Sequence, residues 1–242
     1  MRTVRGMIYT ERFCFEPGEI TLEGEKISKI ALCGVEELTP EETGRYILPG
    51  LVDTHFHCCA GYDFCDGTVE AMRTIAEYEV THGTTTICPA TMTLSEETLM
   101  QICGVCAEAV ETERGCGDLP LKDILRGIYL EGPFISMEKK GAQNPAYIHK
   151  PDLAMLRRLQ EAAQGMIRMA VAAPEVEGAM DMIREGAGEF RFSIAHTCAD
   201  YETAKEAIEA GAAHVTHLYN AMPRSTQRKP GVRVAAAVSE IT

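Results

Sequence analysis

Five side chains in this sequence could together hold a metal ion. They are four histidines and one glutamate: His55, His57, Glu131, His196 and His217. Imidazole nitrogen and carboxylate oxygen are ligands that zinc and similar divalent cations take in proteins. A cation bound in this way activates water and polarises carbonyl groups, so these residue types point to metal-assisted hydrolysis.

Spacing decides which histidines can act together. His55 and His57 are one residue apart, so on a strand both side chains face one side while Phe56 faces the other. His214 and His217 are three residues apart and would face opposite sides, so we expect at most one of them to be a ligand. We choose His217 because it lies nearer the carboxyl end of its predicted strand.

Each histidine also has a plainer interpretation as a hydrogen-bonded core residue, which is the more common role of a lone histidine. Five ligand-type residues at the ends of four predicted strands favour the metal site, because active sites of α/β proteins form where the carboxyl ends of parallel strands meet. The sequence has no Gly-x-Gly-x-x-Gly, Walker-type or Gly-x-Ser-x-Gly segment. Dinucleotide and P-loop binding therefore have no support, and a serine hydrolase becomes less favoured.

The elements that must position these residues alternate between strand and helix from residue 47 onward. Strand patterns cover residues 47–57, 84–89, 125–131, 166–172, 190–196 and 214–218. The helices between them run through Val69 to Gly83, through Leu99 to Val110, from Pro151-Asp152, through Val176, Met180 and Ile183, and from an Asp200 cap to Gly211. Residues 234–242 begin one further strand or helix. Six strands with five intervening helices predict βαβ units, a parallel sheet and the α/β class.

Residues 1–46 have a different pattern and are predicted to form a separate β segment. Short β-type runs at residues 2–10, 19–22 and 26–32 are broken by Pro17-Gly18, Gly24 and Gly34, which predicts hairpins. The domain boundary then falls between residues 46 and 47, and residues 47–242 form the catalytic domain.

Composition restricts partners and compartment. The 23 Lys and Arg against 36 Asp and Glu give a formal charge of −13, which disfavours nucleic-acid binding because phosphates are repelled. No run approaches the roughly 18 consecutive apolar residues of a membrane span. Ten cysteines without an apolar signal core indicate reduced thiols and a cytoplasmic protein. Cys103 and Cys106 share a helical stripe with Leu99 and Val110, so we predict that they pack in the core.

Four segments resemble a known family. They are Leu48-Pro49-Gly50-Leu51-Val52-Asp53-Thr54-His55-Phe56-His57, Leu130-Glu131-Gly132-Pro133-Phe134, Lys140-Gly141-Ala142-Gln143 and Thr216-His217-Leu218-Tyr219-Asn220-Ala221-Met222-Pro223. The first is similar to the first-strand signature of the amidohydrolase superfamily. Together they resemble its N-acetylglucosamine-6-phosphate deacetylases. The resemblance implies a TIM (β/α)8-type barrel, here with about six units, and a flanking β-sandwich domain.

The resemblance also implies roles for individual residues. Glu131, His196 and His217 match the principal metal ligands, and His55 and His57 match a pair that holds a second metal in some members. Further matches are Ala142, Gln143, Asn220 and Ala221 at substrate-contacting positions, and Arg228 at a phosphate-binding position that lies across a dimer interface in some members. Two residues depart from the pattern: Gln143 where some members have His, and Cys58 where Gly often follows the His pair.

The function implied is removal of the acetyl group from N-acetylglucosamine 6-phosphate, with zinc as the expected metal and iron or another divalent ion as the alternative. The full-length protein is expected to be a homodimer. The acid/base residue of the family is an Asp that would lie beyond Thr242, so we expect this chain to be truncated, to bind metal poorly and to have little activity. The alternatives are another amidohydrolase, dihydroorotase-like or a deaminase, and a non-catalytic fragment.

Overall fold

The computed structural model describes residues 1–117 and 119–241. Asp118 and Thr242 lie outside the described residues. Thr242 is the last residue of the catalytic domain that the sequence predicts. Contacts between Cα atoms divide the chain into two compact units, Met1–Leu51 and Val52–Thr242.

The first unit is built on a four-stranded sheet. Its elements are β1 (Arg2–Tyr9), β2 (Phe15–Glu23), β3 (Lys26–Leu32), the short helix α1 (Pro40–Thr43) and β4 (Tyr46–Ile47). The strand order is β3-β2-β1-β4, with antiparallel pairing of β1 with β2 and of β2 with β3, and parallel pairing of β1 with β4. The predicted hairpins are confirmed.

The predicted break at Pro17-Gly18 is wrong, because both residues lie inside β2. A Cβ atom at position 18 would lie 2.6 Å from the carbonyl oxygen of Ala31 on the neighbouring strand. Glycine is needed there for close approach of two strands, and not for a turn. Gly24, with φ +61°, does make the turn between β2 and β3.

The second unit alternates strands and helices. Its strands are β5 (Leu51–Asp53, which begins at the last residue of the first unit), β6 (Cys58–Cys59), β7 (Tyr62–Asp63), β8 (Thr84–Ile87), β9 (Arg114–Cys116), β10 (Leu119–Pro120), β11 (Ile128–Leu130), β12 (Ile167–Ala172), β13 (Arg191–Ile194) and β14 (Ala212–Val215). Its helices are α2 (Val69–Thr81), α3 (Glu96–Thr112), α4 (Leu121–Ile124), α5 (Leu153–Ala162), α6 (Ala179–Gly186), α7 (Tyr201–Ala210) and α8 (Gly231–Ala237).

Six of these strands follow one another side by side in chain order. Strands β11, β12, β13 and β14 form a parallel sheet in that order, and β5 pairs with β8. Parallel bridges from Ile87 to Leu125 and from Ala90 to Tyr129 connect the β8 segment to the β11 segment. This is the arrangement that the alternating pattern predicts, and the α/β class is confirmed.

Two buried clusters lie on opposite faces of these strands. Neighbouring residues of β11 divide between them, because Ile128 and Leu130 belong to the large cluster packed with the helices while Tyr129 belongs to a smaller one. The stripe on α3 is in the large cluster, and Cys103 and Cys106 are fully buried there. Their predicted packing role is confirmed.

The sequence predicts where two helices begin, α7 at an Asp200 cap and α5 at Pro151-Asp152. Asp200 caps α7 by accepting a hydrogen bond from the Thr203 amide, as expected. At α5 the cap is Asp152, so Pro151 precedes the helix instead of occupying its first turn. Val176 lies before α6 and not within it, since that helix begins at Ala179. The segment near residue 234 is the helix α8.

The predicted strand at residues 47–57 is wrong as a single element. It consists of β4 and β5, separated by residues 48–50, and Thr54 to His57 lie outside any strand. Pro49 stands in the gap and has no N–H with which to continue a ladder of hydrogen bonds.

Among the residues that the structure describes, none of the helices combines the length and the apolar character that a membrane span requires.

Candidate metal centre

The carboxylate of Glu131 lies among four imidazole rings and is only 2% exposed. Its Oε1 atom is 3.0 Å from Nε2 of His196 and 3.0 Å from Nε2 of His217. Its Oε2 atom is 2.8 Å from Nε2 of His57, and Nε2 of His55 lies 3.4 Å from Oε1. The structure therefore brings together all five side chains that the sequence suggests as metal ligands.

The sequence predicts that these five residues are the last residues of strands. In the structure they lie just beyond the carboxyl ends of the strands. Glu131 directly follows β11, whereas His196 and His217 stand two residues after β13 and β14. The backbone of both histidines is left-handed, with φ 45° at His196 and φ 32° at His217, so a strand cannot continue through them. His55 and His57 follow β5 in a loop, where their rings lie 5.5 Å apart between centroids.

Backbone carbonyls fix the orientation of two of the rings. Nδ1 of His196 is 2.8 Å from the carbonyl oxygen of Lys139, and Nδ1 of His57 is 3.2 Å from that of Ala90. A carbonyl oxygen only accepts, so Nδ1 must carry the proton and donate it. Nε2, which faces Glu131, is then the nitrogen that offers a lone pair to a metal once its own proton has left, and this is how metal-binding histidines are commonly held.

The electrostatics favour an ionised carboxylate. Burial opposes ionisation of Glu131, but the hydrogen bonds from the surrounding rings outweigh it and lower the pKa of the carboxyl group well below its usual range. The hydrogen bond to Glu131 raises the pKa of His57 and the pKa of His217, although burial acts in the opposite direction. An ionised carboxylate is the form in which glutamate binds a metal ion.

The ligand atoms fit a divalent cation. Glu131 Oε1, His196 Nε2 and His217 Nε2 form a triangle with sides of 3.0, 3.0 and 3.2 Å. Zinc–ligand bonds of about 2.0–2.2 Å in a tetrahedral site separate the ligand atoms by about 3.3–3.6 Å, slightly more than these sides. Nε2 of His55 is buried and has no hydrogen-bond partner among the described residues. Two groups can hold a metal, one of Glu131 with His196 and His217, the other of Glu131 with His55 and His57.

Gln143 touches the same carboxylate. Its side chain is 3% exposed, and Nε2 donates a hydrogen bond to Oε2 of Glu131 at 3.0 Å. The amide oxygen accepts from the backbone N–H of Thr93 at 2.6 Å. The resemblance implies a substrate contact at this position, and in the structure both ends of the amide are bonded within the protein.

The other residues matched to substrate contacts lie in three places. Asn220 and Ala221 follow His217, and the Asn220 amide donates to the carbonyl of His217 at 2.8 Å. Ala142, beside Gln143, is exposed. Arg228 lines a separate cavity of about 290 Å³ together with Lys229 and residues 200–202. Neither Glu131 nor any of the four histidines around it lines that cavity.

Sequence reasoning missed a buried network behind the histidines. The hydroxyl of Thr216 is 2.6 Å from that of Tyr129 and 2.7 Å from that of Ser193. The Tyr129 ring meets the His55 ring edge-on, with centroids 4.8 Å apart. The sign of this network in the sequence is Thr216, a residue with a hydroxyl group directly before His217. A second omission was Asp53, whose carboxylate accepts from the His55 amide at 3.0 Å.

The chain is similar to known deacetylases. The N-acetylglucosamine-6-phosphate deacetylase of Bacillus subtilis is 31% identical over 230 residues, which are 93% of this chain and 57% of that protein. The N-acetylgalactosamine-6-phosphate deacetylase of Escherichia coli O157:H7 is 28% identical, over 93% of this chain and 59% of that protein.

A solved structure is also similar. It is a mutant N-acetyl-D-glucosamine-6-phosphate deacetylase from Mycobacterium smegmatis in complex with N-acetyl-D-glucosamine-6-phosphate, with a TM-score of 0.84 and 28% identity. The match covers 99% of this chain and 61% of that one. The chain thus spans less than two thirds of the length of these relatives. The model of the amidohydrolase family matches residues 46–240, and the chain belongs to that family.

Proposed function

We propose that this chain belongs to a metal-dependent hydrolase that removes the acetyl group from N-acetylglucosamine 6-phosphate, giving glucosamine 6-phosphate and acetate. The observation that carries the proposal is the convergence of four imidazole nitrogens on the buried carboxylate of Glu131. The relatives named above support the choice of substrate, since they are deacetylases of phosphorylated N-acetylhexosamines. A barrel of about six units remains our proposal for the fold of the catalytic domain.

The amidohydrolase family implies a divalent metal, and zinc is the cation that we propose, with iron or another divalent ion as the alternative. Glu131, His196 and His217 would hold it, and His55 and His57 would hold a second one. When bound, such a cation lowers the pKa of water toward about 7 and polarises a carbonyl oxygen, which are the two requirements of amide hydrolysis.

The protein's own groups prepare the site for this chemistry. The carbonyls of Lys139 and Ala90 hold two rings with Nε2 toward Glu131. On the substrate side we propose Ala142, Asn220 and Ala221 as sugar contacts. Arg228 is proposed to bind the phosphate, because a guanidinium group can donate two parallel hydrogen bonds to phosphate oxygens.

The ten cysteines of the chain carry free thiols. This supports a reducing compartment, and we propose the cytoplasm.

The test is acetate release by the zinc-loaded product of the gene that contains this sequence, with residues 1–242 assayed in parallel. The substrates are N-acetylglucosamine 6-phosphate, its galactosamine isomer and unphosphorylated N-acetylglucosamine. We expect acetate from the phosphorylated sugars and much less from the unphosphorylated one. Ring opening of a cyclic amide or ammonia release from an aminopurine, without acetate release, would identify another amidohydrolase. Phosphosugar binding without metal or turnover would support the non-catalytic alternative.

Replacing Glu131 tests the centre directly. Glu131→Gln keeps the shape of the side chain and removes the charge, so we expect zinc affinity to fall at least about 100-fold, more than for residues that only support a ligand. Zinc competition with a chelator measures the affinity. Glu108→Gln, at an exposed position on α3, is the matched control and should leave affinity unchanged. Unaltered zinc affinity in Glu131→Gln would remove the basis of the proposal.

A further inference from the structure

The side-chain amide of Gln143 can be oriented in only one way. The backbone N–H of Thr93 can only donate, so the amide oxygen of Gln143, 2.6 Å away, must be the acceptor. The amide nitrogen therefore faces Glu131 and donates to Oε2 at 3.0 Å. The same nitrogen lies 3.8 Å from the sulfur of Met92. Because Gln143 is 3% exposed and its polar atoms all have partners, the amide has no group directed at solvent.

This contact divides the two oxygens of Glu131 between different neighbours. Oε2 accepts from Gln143 and lies 2.8 Å from Nε2 of His57. Oε1 is left facing His196 and His217, each 3.0 Å away. A carboxylate held through one oxygen cannot rotate about its terminal bond without breaking that hydrogen bond. Nε2 of His55 also lies on the Oε1 side, 3.4 Å away. Gln143 thus determines which oxygen faces His57 and which faces the other three histidines.

The segment that carries Gln143 also supports a second ligand. The amide of Ser136 donates to the carbonyl of His196 at 2.9 Å, and Nδ1 of the same histidine donates to the carbonyl of Lys139 at 2.8 Å. Residues 136–143 therefore contact Glu131, which follows β11, and His196, which follows β13. One loop holds two ligands that come from different strands.

We propose that Gln143 is a positioning residue that acts through Glu131, and that it sets the metal affinity of the centre instead of contacting the substrate. The proposal rests on the proposed function in that Glu131 is taken to bind a metal. It gives the glutamine at this position a role of its own, because a neutral amide can accept from Thr93 and donate to Glu131 at the same time.

Gln143→Met tests the proposal, and Gln160→Met is its control. Methionine keeps the length of the side chain and removes the amide. Gln160 also bonds at both ends, since its oxygen accepts from the Ile167 amide at 2.9 Å and its nitrogen donates to the Ile167 carbonyl at 3.1 Å. Each variant therefore leaves one backbone N–H without its acceptor, but only Gln143→Met removes a donor to Glu131.

The readouts are zinc affinity, from competition with a chelator, and the visible absorption of the Co²⁺-loaded chain. We expect Gln143→Met to weaken zinc binding about 10–100-fold and to alter the Co²⁺ spectrum. Gln160→Met should leave both unchanged, although both variants unfold at lower urea concentration. Equal zinc affinity in the two variants would overturn the proposal.

A second variant guards against loss of folding. Gln143→Asn keeps a polar amide but withdraws the whole group by about one C–C bond, roughly 1.5 Å, so that its nitrogen no longer reaches Glu131. It should also weaken zinc binding, and wild-type affinity in this variant would overturn the proposal. If the unaltered chain bound neither Zn²⁺ nor Co²⁺, the metal of the proposed function would fail together with this inference. If the unaltered chain bound zinc and the variants matched it, only the role of Gln143 would fail.

Discussion

Glu131 combines two properties that rarely occur together, deep burial and a strongly stabilised negative charge. A buried carboxylate is unfavourable unless it is paired and hydrogen-bonded. Here the partners are three imidazole rings and one amide, which together satisfy both oxygens, and the ring of His55 lies beside them. Each ring nitrogen must release its proton before it can bind a cation. The nitrogens that stabilise Glu131 are therefore the same atoms at which a metal ion could replace protons.

The residue after Glu131 must be glycine for two reasons. Gly132 has φ +90°, and a Cβ atom there would lie 2.0 Å from the hydroxyl oxygen of Thr93. We expect Gly132→Ala to lower the free energy of unfolding by roughly 1–3 kcal/mol and to weaken zinc binding by displacing Glu131. Urea unfolding and chelator competition measure the two effects.

Gly188→Ala is the control for this substitution. A Cβ atom at position 188 would have no neighbour within 4 Å, so we expect little change in either measurement. Equal stability of the two alanine variants would show that the crowding at Gly132 is relieved without cost.

At the scale of the elements, a hydroxyl network ties three strand segments together beneath the histidines. Tyr129 lies on β11, Ser193 lies on β13, and Thr216 follows β14, with the Thr216 hydroxyl bonded to both of the others. Burial raises the pKa of Tyr129 to about 12, so the phenol keeps its proton. The network fixes the spacing of strand ends that carry the candidate metal ligands.

Two buried threonines allow a matched test of this network. Thr216→Val removes a hydroxyl with two partners, so we expect a loss of about 1–3 kcal/mol in the free energy of unfolding. Thr91 is equally buried, but its hydroxyl has no hydrogen-bond partner among the described residues. Thr91→Val should therefore be neutral or stabilising. Urea unfolding compares them, and equal losses would contradict the importance of the network.

Sequence patterns predicted a structural feature correctly where contacts within the same segment determine it. They failed where contacts with another segment determine it. The cap at Asp200 was foreseen because its carboxylate bonds within its own helix turn. The place of Gly18 inside β2 was not, because the requirement for glycine comes from Ala31 on another strand. For the same reason the sequence suggested Gln143 as a polar group near the site but did not reveal its contacts with Thr93 and Glu131.

At the scale of the whole molecule, all five candidate ligands lie in the unit Val52–Thr242. A metal that binds only the folded unit stabilises it by about 2.7 kcal/mol at a concentration 100 times its Kd. We expect a chelator to lower the Tm of the zinc-loaded chain by roughly 5–10 °C. Calorimetry with and without chelator measures this. Glu131→Gln should show no such difference, and an unchanged Tm in the unaltered chain would contradict the prediction.

Buried thiols make stability depend on alkaline pH. Burial raises the pKa of Cys65, Cys88 and Cys103 from 9.0 to about 12, whereas the unfolded chain has ordinary thiols. Their contribution is complete below pH 9 and is lost as the pH rises toward 12. Each should lower the free energy of unfolding by up to about 1.4 kcal/mol per pH unit in this range.

Urea unfolding at pH 8 and pH 10.5 in the presence of a reductant tests this dependence on pH. Cys103→Ala removes one of the thiols and should show a smaller decrease between the two pH values. An identical decrease in the variant would assign the effect to other groups.

The left-handed backbone at His196 and His217 has a consequence for anyone who would rebuild this centre in another protein. A designer who copied the five side chains onto ideal strand ends would place two of the rings in the wrong direction, because an ideal strand has φ near −120°. The turn at each histidine, and the loop at residues 136–143 that supports one of them, would have to be transferred as well. The part to be transferred is the backbone around the site together with the loop that supports it, and not the five side chains alone.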